Sequence, residues 1–178
     1  MEKLKGKAWC FGDDISTDTI IPSRWKTASF ELEELGKHAM GGIYEDFGEK
    51  VSPNDFIIAG NNFGCGSSRE QAPMALKGCG IKVIIAKTFA RIFFRNCINI
   101  GLYPLELDWE AGFFKDGDQV EIDFSNKIVT NITSSKQLKF KPLPAFLEEL
   151  FKAGGMESFL MEGKKLTDLI HKQNSNKV

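Results

Sequence analysis

Several things are scarce in this 178-residue chain. It has only 4 cysteines, 2 histidines and 2 tyrosines. Cys10, Cys65, Cys79 and Cys97 stand far apart, no C-x-x-C pair occurs, and neither His38 nor His171 lies near a cysteine at ligand spacing. No local motif therefore builds a zinc site or an iron–sulfur cluster. The thiols read as reduced and mostly buried. Charge of one sign is also lacking: 23 Lys+Arg against 24 Asp+Glu leave a formal net charge of -1, which gives no electrostatic case for nucleic acid or an acidic membrane as partner. No apolar run approaches the roughly 20 residues of a membrane-spanning helix. The start, Met1-Glu2-Lys3-Leu4-Lys5-Gly6, carries charges without a following apolar stretch, so the expected address is cytoplasmic. Internal repeats and low-complexity tracts are missing as well.

What is present suits a globular domain with a real core: 42% hydrophobic, 26% charged, and 15 Phe. One domain is expected over residues 1–171, with a helical arm from about 144 to 170 and a frayed polar tail at 172–178. Gly6 to Phe11 reads as a strand ended by the turn formers Gly12, Asp13 and Asp14, and a long connection runs from there to Phe30. Phe30 to Met40 has helical spacing, weakened by Gly36. Asp55 to Ala59 is an apolar run of strand length. Next come a helix (Arg69 to Cys79), a buried strand (Lys82 to Ala86), a second helix (Phe89 to Ile98) and a further strand (Leu102 to Leu107). That alternation implies right-handed crossovers and a parallel sheet. Gln119 to Phe124 and Lys127 to Ile132 then alternate around Ser125-Asn126 as a β-hairpin. Helices over Pro144 to Ala153 and about Met156 to Ile170, the latter interrupted near Gly163, close an α/β fold with a mixed sheet. The arm's Phe146, Leu147, Leu150 and Phe151 exceed what a short terminal helix needs for itself, so part of it is expected to pack on the domain and part on a partner.

Three segments carry polar chemistry. In Gly60-Asn61-Asn62-Phe63-Gly64-Cys65-Gly66-Ser67-Ser68-Arg69-Glu70, glycines permit close approach of backbone to a ligand. A helix start at Ser67/Ser68 would aim free N–H groups at an anion. The spacing matches neither the P-loop nor the dinucleotide fingerprint. Arg69 can grip a carboxylate bidentately while Ser67 or Ser68 faces it. The same Ser-Ser-Arg-Glu run also fits an ordinary helix N-cap with first-turn charge. The second segment, Phe11 to Pro22, holds Asp13, Asp14, Thr17 and Asp18 and reads equally as an Asx-rich turn. In the third, Lys87 to Asn96, only Arg91, Arg95 and Asn96 are placed for polar work.

Together these motifs resemble the small subunit of the isopropylmalate dehydratase family, equivalent to the swivelling fourth domain of aconitase. The quoted runs are Phe11-Gly12-Asp13 with Thr17-Asp18, Gly64 to Glu70, Ala86-Lys87-Thr88-Phe89-Ala90-Arg91-Ile92, and Asn96 with Asn99-Ile100-Gly101-Leu102, and the likeness spans about residues 5 to 170. It implies a swivelling β/β/α fold and a hydro-lyase acting on a small hydroxy-dicarboxylic acid. It also implies that Ser67 is the base, that Ser68 and Arg69 bind substrate, and that Thr17 and Asp18 line the same cleft. No cofactor is expected on this chain. The resemblance puts a [4Fe-4S] cluster on a separate large subunit, so a heterodimer or heterotetramer is expected. Two departures stand out. Glu70-Gln71-Ala72 replaces the common Glu-His-Ala. In the loop that sorts substrates, Arg24-Trp25-Lys26-Thr27 stands where Arg-Tyr-Leu and a selector residue are usual. Thr27 at the selector position argues against a third carboxylate, unless Lys26 meets it, and leaves room for an isopropyl, methyl or dimethyl group. Isopropylmalate is the expected substrate. Dimethylmalate and citramalate follow, then a homoaconitate-type acid, and a non-catalytic carboxylate-binding module is the reading from another class. Cys65 is expected to be a loop residue near the cleft, not a nucleophile, because no histidine belongs to its motif.

Overall fold

The computed structural model describes residues 3–25, 31–165 and 167. Its centre is one seven-stranded sheet, ordered β4-β3-β2-β1-β5-β6-β7. The strands are β1 (Leu4–Cys10), β2 (Phe56–Ala59), β3 (Val83–Ala86), β4 (Tyr103–Glu106), β5 (Gln119–Asp123), β6 (Ile128–Asn131) and β7 (Lys136–Lys139). β1 is the joint between two kinds of pairing. Its first residues, Leu4 to Lys7, pair antiparallel with β5, and Ala8 to Cys10 pair parallel with β2. On one side of β1, out to β4, every pairing is parallel; on the other side, through β5 and β6 to β7, every pairing is antiparallel.

The helices are α1 (Thr17–Ile20), α2 (Leu32–Lys37), α3 (Phe47–Lys50), α4 (Gln71–Gly78), α5 (Arg91–Ile100), α6 (Ala145–Lys152) and α7 (Met156–Met161). The β2-α4-β3-α5-β4 alternation is the one expected from the sequence. Strands β2 and β3 are unbroken apolar runs because both of their faces are buried. Ile57, Ala59, Ile84 and Ala86 pack with Leu35, Met40, Ala75, Leu76 and Phe93 of the helical layer. Phe56, Ile58, Val83 and Ile85 pack instead with Val120, Ile122, Val129 and Phe140 from the antiparallel half, which curls over that face. Each such fully buried Ile or Phe contributes roughly 1.5–3 kcal/mol relative to exposure. Gly36, the weak point in the α2 spacing, has a packing reason: a Cβ there would strike the backbone of Gly78, and one on Gly78 would strike that of Leu32, so the pair lets α2 and α4 touch backbone to backbone.

Several expectations are corrected. The long connection before Phe30 contains α1 and a 3₁₀ turn at Ser23–Trp25. α3 and the edge strand β7 were not foreseen. α7 ends at Met161, and the interruption expected near Gly163 falls there, at a positive φ; residues 168–170 of the expected helix and the tail at 172–178 lie outside the described residues. The arm splits as expected on the domain side: Leu150 is buried and Phe151 meets Tyr103 edge-on at 4.9 Å between ring centroids. Of the free thiols only Cys97 is fully buried; Cys10, Cys65 and Cys79 are intermediate. Among the described residues no helix is long and apolar enough to cross a membrane.

Candidate functional site

Parallel strands deliver their C-terminal ends to one edge of a sheet, the edge at which α/β proteins assemble ligand sites. Here β1, β2 and β3 lead into the three polar segments, and hydrogen bonds lace those segments together. From the first to the second, Asp14 N–H donates to the Asn61 carbonyl at 2.8 Å, Gly64 N–H to Ile15 at 2.7 Å, and Thr17 N–H to Cys65 at 2.8 Å. Side chains add to this, with the Asn61 amide nitrogen donating to Asp13 Oδ1 at 2.5 Å and Asn62 Nδ2 to Asp14 Oδ1 at 2.8 Å. From the second to the third, Asn62 N–H donates to Thr88 Oγ1 at 2.8 Å, Phe63 N–H to the Thr88 carbonyl at 3.0 Å, and Ala90 N–H to the Phe63 carbonyl at 2.9 Å. Segments far apart in the chain thus form one layer.

Ser67, Ser68 and Arg69 sit on the rim of that layer. Thr17 is 1% exposed, and its Oγ1 receives the Ser67 amide at 2.9 Å. Its place is therefore beneath the loop, where it fixes the backbone of Ser67. Asn96 Nδ2, on α5, donates to the Ser68 carbonyl at 3.1 Å and fixes the loop from the other side. Ser67 is half-buried, while Ser68, Arg69 and Asp18 are exposed. Two glycines let the loop take this path. Gly64 has φ +80, with the Phe93 ring where a Cβ would be; Gly66 has φ +96, with Thr17 Oγ1 3.3 Å from a Cβ position.

This geometry changes the reason for the glycines and the helix start. The amides of Gly60, Asn61, Asn62, Phe63, Gly64 and Ser67 are all donated within the protein, so these six brace the loop and are not offered to a ligand. Helix α4 begins at Gln71, after the Ser-Ser-Arg run, with Glu70 at its N-cap and no side-chain cap bond. Ser67 and Ser68 are therefore loop residues and do not cap the helix. An exposed guanidinium next to two hydroxyls, on a backbone pinned from both sides, is suited to a carboxylate ligand.

The other candidates fall into two groups. Arg24 is exposed and reaches Glu45 at 3.9 Å; Trp25 stacks on His38; Lys26 and Thr27 lie outside the described residues. The turn that carries Arg24 and Trp25 is tied to the site edge, because Ser23 Oγ donates to Asp18 Oδ1 at 3.2 Å. Arg91 and Arg95 are exposed and flank an apolar groove of about 840 Å³ between α5 and the arm, lined by Phe89, Phe94, Phe146 and Leu147. Cys65 lies in the rim loop with its Sγ 3.6 Å from the Asp14 carbonyl. Asn96 is among the residues that the sequence marks for polar work; Thr88, which accepts from Asn62 and Phe63, carries no spacing signal.

Comparisons with known proteins agree with one another. Residues 33–110 match the family model described as the aconitase C-terminal domain. The 3-isopropylmalate dehydratase small subunit of Thermodesulfovibrio yellowstonii is 48% identical over 94% of this chain and 99% of its own length. Small subunit 1 of the same enzyme from Archaeoglobus fulgidus is also 48% identical, over 86% of this chain and 94% of its own. The crystal structure of 3-isopropylmalate dehydratase from Methanocaldococcus jannaschii superposes with a TM-score of 0.85 at 44% identity, covering 97% of this chain and 99% of that one.

Proposed function

This chain belongs to the family of 3-isopropylmalate dehydratase small subunits, hydro-lyases of the aconitase type, and on that premise we propose that it supplies the serine base and the carboxylate clamp with which a large subunit interconverts 2- and 3-isopropylmalate in leucine biosynthesis. The observation that carries the reading is the rim itself: Ser67, Ser68 and Arg69 stand in a row on a backbone held by buried Thr17 below and by Asn96 at the side.

Dehydration of a 2- or 3-hydroxy acid removes a proton α to a carboxylate and expels the hydroxyl from the neighbouring carbon. Ser67 takes the proton. A serine hydroxyl is a weak base in water, so its alkoxide needs a cation close by and little solvent reorganisation, which the adjacent Arg69 and a pinned backbone provide. Arg69 and Ser68 hold the carboxylate on which negative charge builds, the guanidinium by its two parallel N–H groups. Asp18, exposed next to buried Thr17, borders the substrate, and the loop Arg24-Trp25-Lys26-Thr27 is assigned the sorting of the alkyl group.

The cysteines of this chain do not fit an iron–sulfur cluster. Burial pushes the Cys10 and Cys79 thiols up to about 12, Cys97 is fully buried, and no metal-ligating group of cysteines, histidines or carboxylates forms among the described residues. We therefore assign the [4Fe-4S] cluster, and the activation of the leaving hydroxyl that it supplies, to the large subunit. The experiment is reconstitution of this chain with its cognate large subunit and assay against isopropylmalate, citramalate, dimethylmalate and homocitrate-type acids. Turnover of isopropylmalate by the pair and by neither chain alone is expected. Turnover by this chain alone, or preference of the pair for another acid, overturns the corresponding part of the reading.

A further inference from the structure

The indole of Trp25 lies flat against the imidazole of His38, with ring centroids 3.8 Å apart and planes 5° from parallel. The ring contacts that Trp9, Phe11, Tyr44 and Phe47 make nearby are all edge-on, and the parallel pair Phe89–Phe93 is wider, at 6.5 Å between centroids. His38 caps the C-terminal end of α2, its side chain 24% exposed, with Nε2 3.9 Å from Glu34 Oε1. The backbone under it is firmly placed. Gly42 N–H donates to the Thr19 carbonyl at 2.9 Å, and a Cβ on Gly42 would strike the Thr19 backbone, so the 38–42 turn rests directly on α1. On the other side of the pair, Trp25 N–H donates to Pro22, Ser23 Oγ donates to Asp18, and the Arg24 guanidinium lies 5.7 Å from the indole centroid. Both rings are thus tied, through α1, to the Thr17 that holds Ser67.

We propose that His38 is a positioning residue for substrate selection: it holds Trp25 as a fixed apolar wall for the alkyl branch of the acid. This rests on the functional reading given above. An indole free to rotate samples several rotamers and accommodates branches of different size. One pressed against a second ring keeps one face in place, and a flat apolar surface receives an isopropyl group better than a further carboxylate. Nothing in this role requires His38 to touch substrate or to change charge.

The test uses the chain reconstituted with its large subunit and three variants. His38→Gln keeps polarity and size but loses the ring; His38→Phe keeps a ring; Trp25→Leu removes the same pair from the other side. With isopropylmalate, His38→Gln is expected to raise KM by roughly 2- to 10-fold, the range that one aromatic pair's energy allows, and to raise it by more than it lowers kcat. The preference for isopropylmalate over citramalate falls by a similar factor. His38→Phe restores both values, and the His38→Gln/Trp25→Leu double variant is no less selective than Trp25→Leu alone. Tryptophan emission of the isolated chain, compared with that of Trp25→Leu, reports the stack without any need for turnover. If the wild-type pair turns over isopropylmalate and His38→Gln matches its KM and selectivity while the emission changes, the inference fails and the functional reading stands. If His38→Gln does not fold, selectivity equal to wild type in Trp25→Leu overturns the inference. If the wild-type pair turns over none of the acids, the functional reading falls and takes this inference with it.

Discussion

Strands β1, β2 and β3 run parallel and each hands over to a polar loop at the same edge, whereas β5, β6 and β7 run antiparallel and return through short turns. Both regions bury hydrophobic faces against one another, and both hold polar groups in place with hydrogen bonds. They use those bonds for different ends. In the antiparallel region the bonds close on themselves. Asn131, fully buried, donates to the Phe113 carbonyl and to Asp118 Oδ2, each at 2.7 Å, and accepts from Ser134 N–H. In the parallel region the network is equally dense up to Ser67, but it stops at a rim where Ser68, Arg69 and Asp18 are exposed. A scaffold that satisfies its own amides and leaves a guanidinium and hydroxyls together at one rim is what a preorganised site requires; the Asn131 network, which ends on Phe113, Asp118 and Ser134, holds a turn in place.

The sharpest way to separate the regions is Ser67→Ala. Removing the base is expected to lower kcat of the reconstituted pair by about 10²- to 10⁴-fold, while the melting temperature of the isolated chain stays within about 1–2 °C, because the Ser67 amide that Thr17 receives is backbone and survives the change. Turnover that persists, or a large loss of stability, would erase the distinction drawn between rim and scaffold. Arg69→Gln comes next. Loss of a charged bidentate clamp is expected to raise KM roughly 10- to 100-fold, again with little effect on melting, since Arg69 is exposed. Lys in its place should recover only part, because an ammonium is a point charge without the fork.

Asn131→Leu makes the opposite cut. It leaves the buried Phe113 carbonyl and the buried Asp118 carboxylate without the amide that donates to both, which costs about 1–3 kcal/mol for each group left unsatisfied. The expected outcome is a melting temperature lower by roughly 3–10 °C, with kcat/KM of the pair within about twofold of wild type at a temperature where the variant is folded. A comparable fall in activity would mean that the antiparallel half reaches the rim through the sheet.

The two regions also differ in how far the sequence discloses them. Val83-Ile84-Ile85-Ala86 and Phe56 to Ala59 read as strands at once because burial on both faces leaves no polar residue in the run. β7, by contrast, is Lys136-Gln137-Leu138-Lys139, an edge strand that needs only the backbone of β6, and its side chains carry no period. One-turn helices such as α1 and α3 are too short for periodicity to mark. α1 forms because Ser16 caps it by receiving Thr19 N–H and because Thr17 N–H is claimed by Cys65, a contact made only in the folded chain. At the site, residue types and their convergence were legible, since parallel strands must bring their loops to one edge. Which groups would be engaged was not. The glycines suggest open amides, but Ile15, Thr17 and Thr88 come from elsewhere in the chain to accept them. The pairing of Trp25 with His38 joins a loop to a helix end and leaves no trace in spacing.

The smallest expected effect concerns pH, and it too separates the regions. Three groups that burial keeps protonated lie in the parallel half. Burial pushes the Cys79 thiol at the end of α4 up to about 12, burial and then the charges of Asp116 and Asp118 do the same for Cys10, and burial raises the Tyr103 phenol on β4 to about 12. In the antiparallel half the carboxylate of Asp123 is held below its ordinary value, chiefly by the Asn126 backbone and side-chain amides and then by Lys3. A raised pKa means that the folded chain binds more protons than the unfolded one once pH passes the unfolded value. The stability from these thiols and the phenol is therefore whole below about pH 9 and is lost as pH rises towards 12. The Asp123 contribution has the opposite sign, present above the ordinary carboxylate range and lost as pH falls through it. Melting curves of the isolated chain between pH 8 and 11 should fall progressively, and Cys79→Ala should flatten that limb, because the variant no longer has a thiol that only the unfolded state can ionise. Asp123→Asn should flatten the acid limb, because the variant no longer has a carboxylate that the fold holds ionised. An alkaline limb untouched by Cys79→Ala would place the sensitivity elsewhere and remove this last distinction between the halves of the sheet.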